Sequence, residues 1–297
     1  MKANRLAINL MVYMHGKSMK KNRAEIFKNL SFRHQFDVNY AGDALDRHCF
    51  DIYYPEDESR NNKLIIDIHG GAYILSHRKD NLAFATPFLK KGYDFIAMDY
   101  RPNNGRLSIY DQLCDLAQGI RYILKHAEEL GVSEDEVYLT GDSAGGHMSL
   151  VLAALSTDSA LQESVGLNLS QFKPRAVLVN CSVFDFAGAG MRNGLTKGAQ
   201  KRMYGPRYLD FDFLNQYSPA SYVNQLTLPV FASTCTLDFI RHESLGLQRA
   251  LQGKNDFEFL DIESENKLID HVHNVVRPDL PESIRVNEAM MAFMEKY

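Results

Sequence analysis

From residue 36 onwards, short apolar runs alternate with longer segments whose apolar residues recur every three or four positions. Residues 36–54 alternate in the two-residue rhythm of strands, with Ala41-Gly42-Asp43 as the turn between two of them. Residues 63–68 and 93–98 are short, almost wholly apolar runs; the first leads into Gly70-Gly71 and the second stops before Arg101-Pro102. Such runs suit strands buried on both faces. Helical spacing is found over 82–90 and over 110–130, where Leu113, Leu116, Ile120, Ile123 and Leu124 share one face. Further strands are expected at 137–140, 176–180, 230–234 and 257–262, with helices at 147–155 and 281–294. Strands that alternate with helices imply a mainly parallel sheet covered on both faces, here as a single domain over 1–297.

Two stretches depart from that rhythm. Leu6, Leu10, Met11 and Met14, then Ile26, Phe27 and Leu30, predict one or two amphipathic helices at the start of the chain. Residues 187–228 are rich in Gly, Asn, Tyr and Arg and include Gly205-Pro206 and Ser218-Pro219. Long irregular insertions in compact domains are often lids or binding loops, so 1–35 and 187–228 are expected to form a cap.

Composition narrows the function. With 45% hydrophobic and 24% charged residues the chain has the balance of a globular protein. The net charge of -4 argues against a nucleic-acid partner, whose phosphates need a basic surface. No run is long and apolar enough for a membrane span, and the basic N-terminus lacks the pattern of a secretory signal, so a cytoplasmic protein without stable membrane insertion is expected. Cys49, Cys114, Cys181 and Cys235 lack metal-site spacing and read as free thiols.

The chemistry is carried by Gly141-Asp142-Ser143-Ala144-Gly145-Gly146, which directly follows a predicted strand and leads into a helical pattern. This is the G-x-S-x-G nucleophile elbow in its required context: small neighbours let strand and helix approach while the serine projects outward. The positive end of the following helix favours negative charge at the site. Upstream, His69-Gly70-Gly71-Ala72-Tyr73 follows another strand and resembles the HGGG-type loop of esterases and lipases. Gly70, Gly71 and Ala144 are the expected amide donors of an oxyanion hole, with His69 as a loop-fixing residue. A histidine-orienting acid should follow a later strand, and Asp238 is preferred over Asp185. His271 and His273 are the candidates for the base, and spacing alone does not choose between them. Tyr73, Asp142 and His273 are expected at the substrate pocket, and no metal or organic cofactor is called for.

Together with Asp99-Tyr100-Arg101, Ser218-Pro219-Ala220 and His271-Val272-His273-Asn274-Val275, these motifs resemble the hormone-sensitive-lipase-like group of α/β-hydrolase esterases, and within it the small bacterial esterases. The resemblance runs from about Phe50 onwards. It implies an α/β-hydrolase fold with a helical cap, His271 as the base, and His273 in the place of an aromatic neighbour. Ala72 stands where many relatives have a third glycine, which implies a narrower alcohol side and disfavours bulky tertiary-alcohol esters. The expected function is a serine carboxylesterase acting on small, short-acyl esters, and a homodimer is compatible with the sequence. An arylformamidase, a carbohydrate-ester deacetylase or a feruloyl esterase could use the same elements. A prolyl-type peptidase ranks low for want of the large extra domain, and a non-catalytic small-molecule binder ranks lower still because serine, acid and histidine are all present.

Overall fold

The computed structural model describes residues 32–188, 192 and 195–297. Eight strands form one sheet in the order β1-β2-β4-β3-β5-β6-β7-β8. β1 (His34–Asn39) and β2 (Cys49–Tyr53) run antiparallel at one edge, and β2 pairs antiparallel with β4 (Asp94–Met98). From β4 onwards all pairings are parallel, through β3 (Leu64–Ile68), β5 (Val137–Asp142), β6 (Ala176–Asn180), β7 (Val230–Cys235) and β8 (Phe257–Ile262). The expected α/β-hydrolase fold is thus observed, with a mostly parallel sheet between helices.

The near-continuous apolar runs make sense in this setting. Leu64, Ile66 and Ile68 of β3 enter one core, shared with buried Leu113, Leu116 and Ile120 of helix Ile109–Lys125 and with helix Ala144–Thr157. Ile65 points the other way into a second core, with Phe84 and Phe88 of helix Leu82–Leu89 and Val286, Met290 and Phe293 of helix Pro281–Met294. Because successive strand residues face opposite sides, covering both faces favours apolar residues at almost every position.

The insertion is less irregular than its composition suggests. Helices Lys197–Tyr204 and Phe211–Gln216 lie within 187–228, started by Thr196 and Asp210, whose side chains accept from the amides of Ala199 and Phe213. The helices expected near the N-terminus lie outside the described residues.

A buried ionic cluster anchors the loop after β3. Arg78 is fully buried and donates to Asp51 at 2.9 Å and Asp99 at 2.7 Å, and also pairs with Asp37 and Asp46. Asp99 accepts in addition from Nε2 of His69 at 2.9 Å. Burial would raise the Asp99 carboxyl, but the His69 hydrogen bond and the positive groups around it hold it below the usual carboxylate range. His69 therefore sits in the loop-fixing position expected of it.

Candidate active site

Ser143 joins the carboxyl end of β5 to the helix Ala144–Thr157, with φ 52° and ψ -116°. That left-handed backbone is unfavourable for a residue with a Cβ and survives only because its surroundings impose it. Its amide donates to the Asn180 carbonyl at 2.9 Å, and its carbonyl accepts from the amides of His147 and Val183. Close approach requires glycine at Gly145, where a Cβ would stand 1.9 Å from the Ile68 carbonyl oxygen. The turn thereby holds the Ser143 loop against the end of β3.

The hydroxyl of Ser143 lies 3.0 Å from Nε2 of His271, whose Nδ1 lies 2.7 Å from Oδ1 of Asp238. The loops after β7 and β8 carry these two residues and are joined by a bridge between Leu237 and Asp270. Asp238 also accepts from the Thr234 hydroxyl at 2.8 Å and the Ile240 amide at 3.0 Å. Burial pushes its carboxyl up, but the His271 contact and these donors outweigh it, and the group stays ionised below the usual range. Asp185 instead accepts from the Ser218 hydroxyl at 3.2 Å.

His273 is not at this centre. It is buried, with Nδ1 2.9 Å from the Ser283 hydroxyl of the last long helix. The intervening Val272, at φ 55°, turns the chain so that the two imidazoles diverge. The expectation of His273 at the substrate pocket is corrected accordingly.

The loop after β3 brings a second correction. The amide of Gly70 donates to Oδ1 of Asp142 at 3.0 Å, so it is not available as an oxyanion donor. Asp142 is not a pocket residue either: it is buried, and Oδ1 also accepts from Asn81, which donates in turn to Asp67. Burial raises both carboxyls, and for Asp67 the neighbouring charge of Asp142 adds to the effect. Beyond Gly70 the backbone turns left-handed at Gly71 (φ 109°), Ala72 (φ 51°) and Tyr73 (φ 66°). Among the described residues no acceptor takes the amides of Gly71, Ala72 or Ala144. Ala72 is thus a donor candidate that sequence reasoning missed, although its place in the His-Gly-Gly-x motif could have signalled it. Asn81 and Thr234, two polar supports of the site, carried no sequence signal.

Tyr73 is buried beneath the loop, its ring 5.6 Å from His147 and 5.2 Å from Phe186 between centroids. Phe186 also packs on Tyr204 of the insertion at 4.9 Å. His147 is held neutral here: burial lowers its imidazole to about 4, against the bond to the Tyr217 carbonyl at 2.6 Å. An unfolded histidine takes up its proton near pH 6.5, so this group's stabilisation is complete above that value and is lost as the pH falls towards about 4. Urea unfolding is expected to show a stability about 1–2 kcal/mol lower at pH 5.5 than at pH 7.5. His147→Gln, which keeps a donor for Tyr217, should remove most of that difference; an unchanged pH dependence would contradict the assignment.

The BD-FAE family model matches residues 50–242. A probable isoprenylcysteine alpha-carbonyl methylesterase of Oryza sativa subsp. japonica is 27% identical over 124 residues, covering 42% of this chain and 29% of its own length. An acetylxylan esterase of Xylanibacter ruminicola is 29% identical over 124 residues, covering 41% of this chain and 24% of the relative. The chain thus spans about three tenths of the length of the first of these curated relatives and less of the second. Among solved structures, esterase B from Lactobacillus rhamnosis superposes with a TM-score of 0.83 at 22% identity, covering 98% of this chain and 96% of its own. No helix among the described residues is long and apolar enough to cross a membrane.

Proposed function

The chain belongs to the BD-FAE family, and on that premise we propose that it is a serine carboxylesterase acting on small esters with short acyl groups. Ser143 attacks the ester carbonyl carbon as its proton passes to Nε2 of His271, and Asp238 fixes the tautomer and stabilises the imidazolium. The amides of Gly71, Ala72 and Ala144 receive the oxyanion. The imidazolium returns the proton to the leaving alkoxide, and water then repeats the sequence on the acyl-enzyme. The observation that carries this reading is the continuous relay of 3.0 Å from Ser143 to His271 and 2.7 Å from His271 to Asp238.

In this reading the buried ring cluster of Tyr73, Phe186 and Tyr204 closes off the space beneath the loop and favours a short acyl group. Esterase B of Lactobacillus rhamnosis, a structural neighbour, is known in a form inhibited by a tributyrin phosphonate. Residues 187–228, whose Tyr204 belongs to that ring cluster, act in this reading as part of the cap. With p-nitrophenyl acetate, butyrate, octanoate and palmitate, kcat/KM is expected to be greatest for acetate or butyrate and at least about tenfold lower for octanoate. A maximum at palmitate would reject the short-acyl assignment. The likeness to an acetylxylan esterase supports a second reading, deacetylation of carbohydrate esters. Acetate release from acetylated xylan at a kcat/KM above that for p-nitrophenyl acetate would favour it.

A further inference from the structure

Cys181 and Cys235 have no part in the relay, yet they border it. β6 and β7 are parallel neighbours with Asn180 opposite Ser233, and Cys181 extends the pairing by donating its amide to the Ser233 carbonyl at 2.8 Å. Cys181 then adopts φ 46°, left-handed for a residue with a side chain. Both thiols are buried. Each also grips the loop that carries His271: the Val272 amide donates to Sγ of Cys181 at 3.3 Å, and the Cys235 thiol donates to the Asp270 carbonyl at 3.2 Å. One donor atom each from Cys181, Asp238 and His271 falls within 4.8 Å of the others.

A sulfur, an imidazole nitrogen and a carboxylate oxygen at this separation form a zinc-type donor set. Zinc bonds of about 2.0–2.3 Å place tetrahedral ligands roughly 3.3–3.8 Å apart. The Asp238–His271 pair at 2.7 Å would open by less than about 1 Å, and the thiol, within 4.8 Å of both, would close by at most about 1.5 Å. The His271 side chain keeps 18% exposure, which gives a cation a way in, and water can take the fourth position.

We propose that Cys181, Asp238 and His271 form an inhibitory binding site for a thiophilic divalent cation of the zinc class. Ligation uses Nδ1 of His271, the nitrogen that faces Asp238. The ring proton then resides on Nε2, directed at the Ser143 hydroxyl, so the imidazole donates where catalysis needs it to accept. The Cys181 proton leaves to solvent as the sulfur binds, and no oxidation or reduction is involved. Inhibition rests on the catalytic reading of the relay, whereas binding does not.

The two parts are tested separately. The reduced full-length Ser143→Ala protein, which retains all three donors, is titrated with Co2+ and then with Zn2+. A thiolate-to-Co2+ charge-transfer band saturating at one equivalent and bleached by Zn2+ is expected, with the band lost in Ser143→Ala/Cys181→Ser and kept in Ser143→Ala/Cys114→Ser. Cys181→Ala serves if the serine variant fails to fold by circular dichroism. No saturable band, or a band that survives both Cys181 substitutions, overturns the site. In the otherwise native protein, Zn2+ is expected to lower ester turnover at least about tenfold, reversibly with EDTA, and Cys181→Ser to need at least about tenfold more Zn2+ relative to its own metal-free rate. Stoichiometric binding that leaves turnover unaffected overturns the inhibitory claim. Binding in a protein that never hydrolyses esters, even metal-free, counts against the esterase reading and leaves the site standing.

Discussion

His271→Ala is expected to lower kcat for p-nitrophenyl butyrate by about 10⁴-fold or more, because the Ser143 hydroxyl loses its only proton acceptor within 3.0 Å among the described residues. KM should change far less, since the base acts in the transition state rather than in binding. The neighbouring histidine gives the contrast. His273→Ala is expected to keep kcat within about tenfold of the unsubstituted enzyme while lowering the unfolding free energy by about 1–3 kcal/mol, because it leaves the buried Ser283 hydroxyl without its partner. Steady-state kinetics and urea unfolding on both variants separate the roles. Equal losses of activity would contradict the assignment of the base.

Gly145→Ala is the second substitution with a large expected effect. The added methyl would meet the carbonyl oxygens of Ile68 at 1.9 Å and His69 at 2.6 Å, which are backbone atoms and cannot swing aside. The helix behind Ser143 must therefore move away from the end of β3, carrying the Ala144 amide away from the Gly71-Ala72 turn. Removing one oxyanion donor typically costs 10²–10³ in kcat, and here two groups of donors are displaced together, so a loss of about 10³-fold or more is expected. The strain should also reduce stability by about 2–4 kcal/mol. Gly198→Ala is the matched control, because a Cβ there meets nothing within 4 Å. A Gly145→Ala enzyme of native activity and stability would show that the elbow does not set the oxyanion geometry.

The fold was readable from the chain because both faces of the sheet are covered. Burial on both sides forces runs such as Leu64–Ile68 to be almost uniformly apolar, and helices such as Ile109–Lys125 to carry one apolar face. The nucleophile elbow and the His-Gly-Gly turn were readable because steric demands fix residue types at fixed spacing. What stayed hidden depends on contacts between distant segments. Nothing local says that the Gly70 amide is taken by Asp142, seventy-two positions on, or that His273 turns to Ser283. Helices Lys197–Tyr204 and Phe211–Gln216 are short enough that their capping residues, more than their apolar periodicity, define them. Cys181 has no motif around it. Its place beside Asp238 and His271 follows from the adjacency of β6 and β7, which appears only once the sheet order is known.

The central claim is that the Ser143 hydroxyl becomes acylated. Rapid acid quench during turnover of a slowly deacylated p-nitrophenyl ester, followed by peptide mass spectrometry, tests it most directly. The account predicts one acyl group per chain on the peptide that contains Ser143, absent from Ser143→Ala. Turnover with no such adduct, or with the acyl group on another side chain, would contradict it.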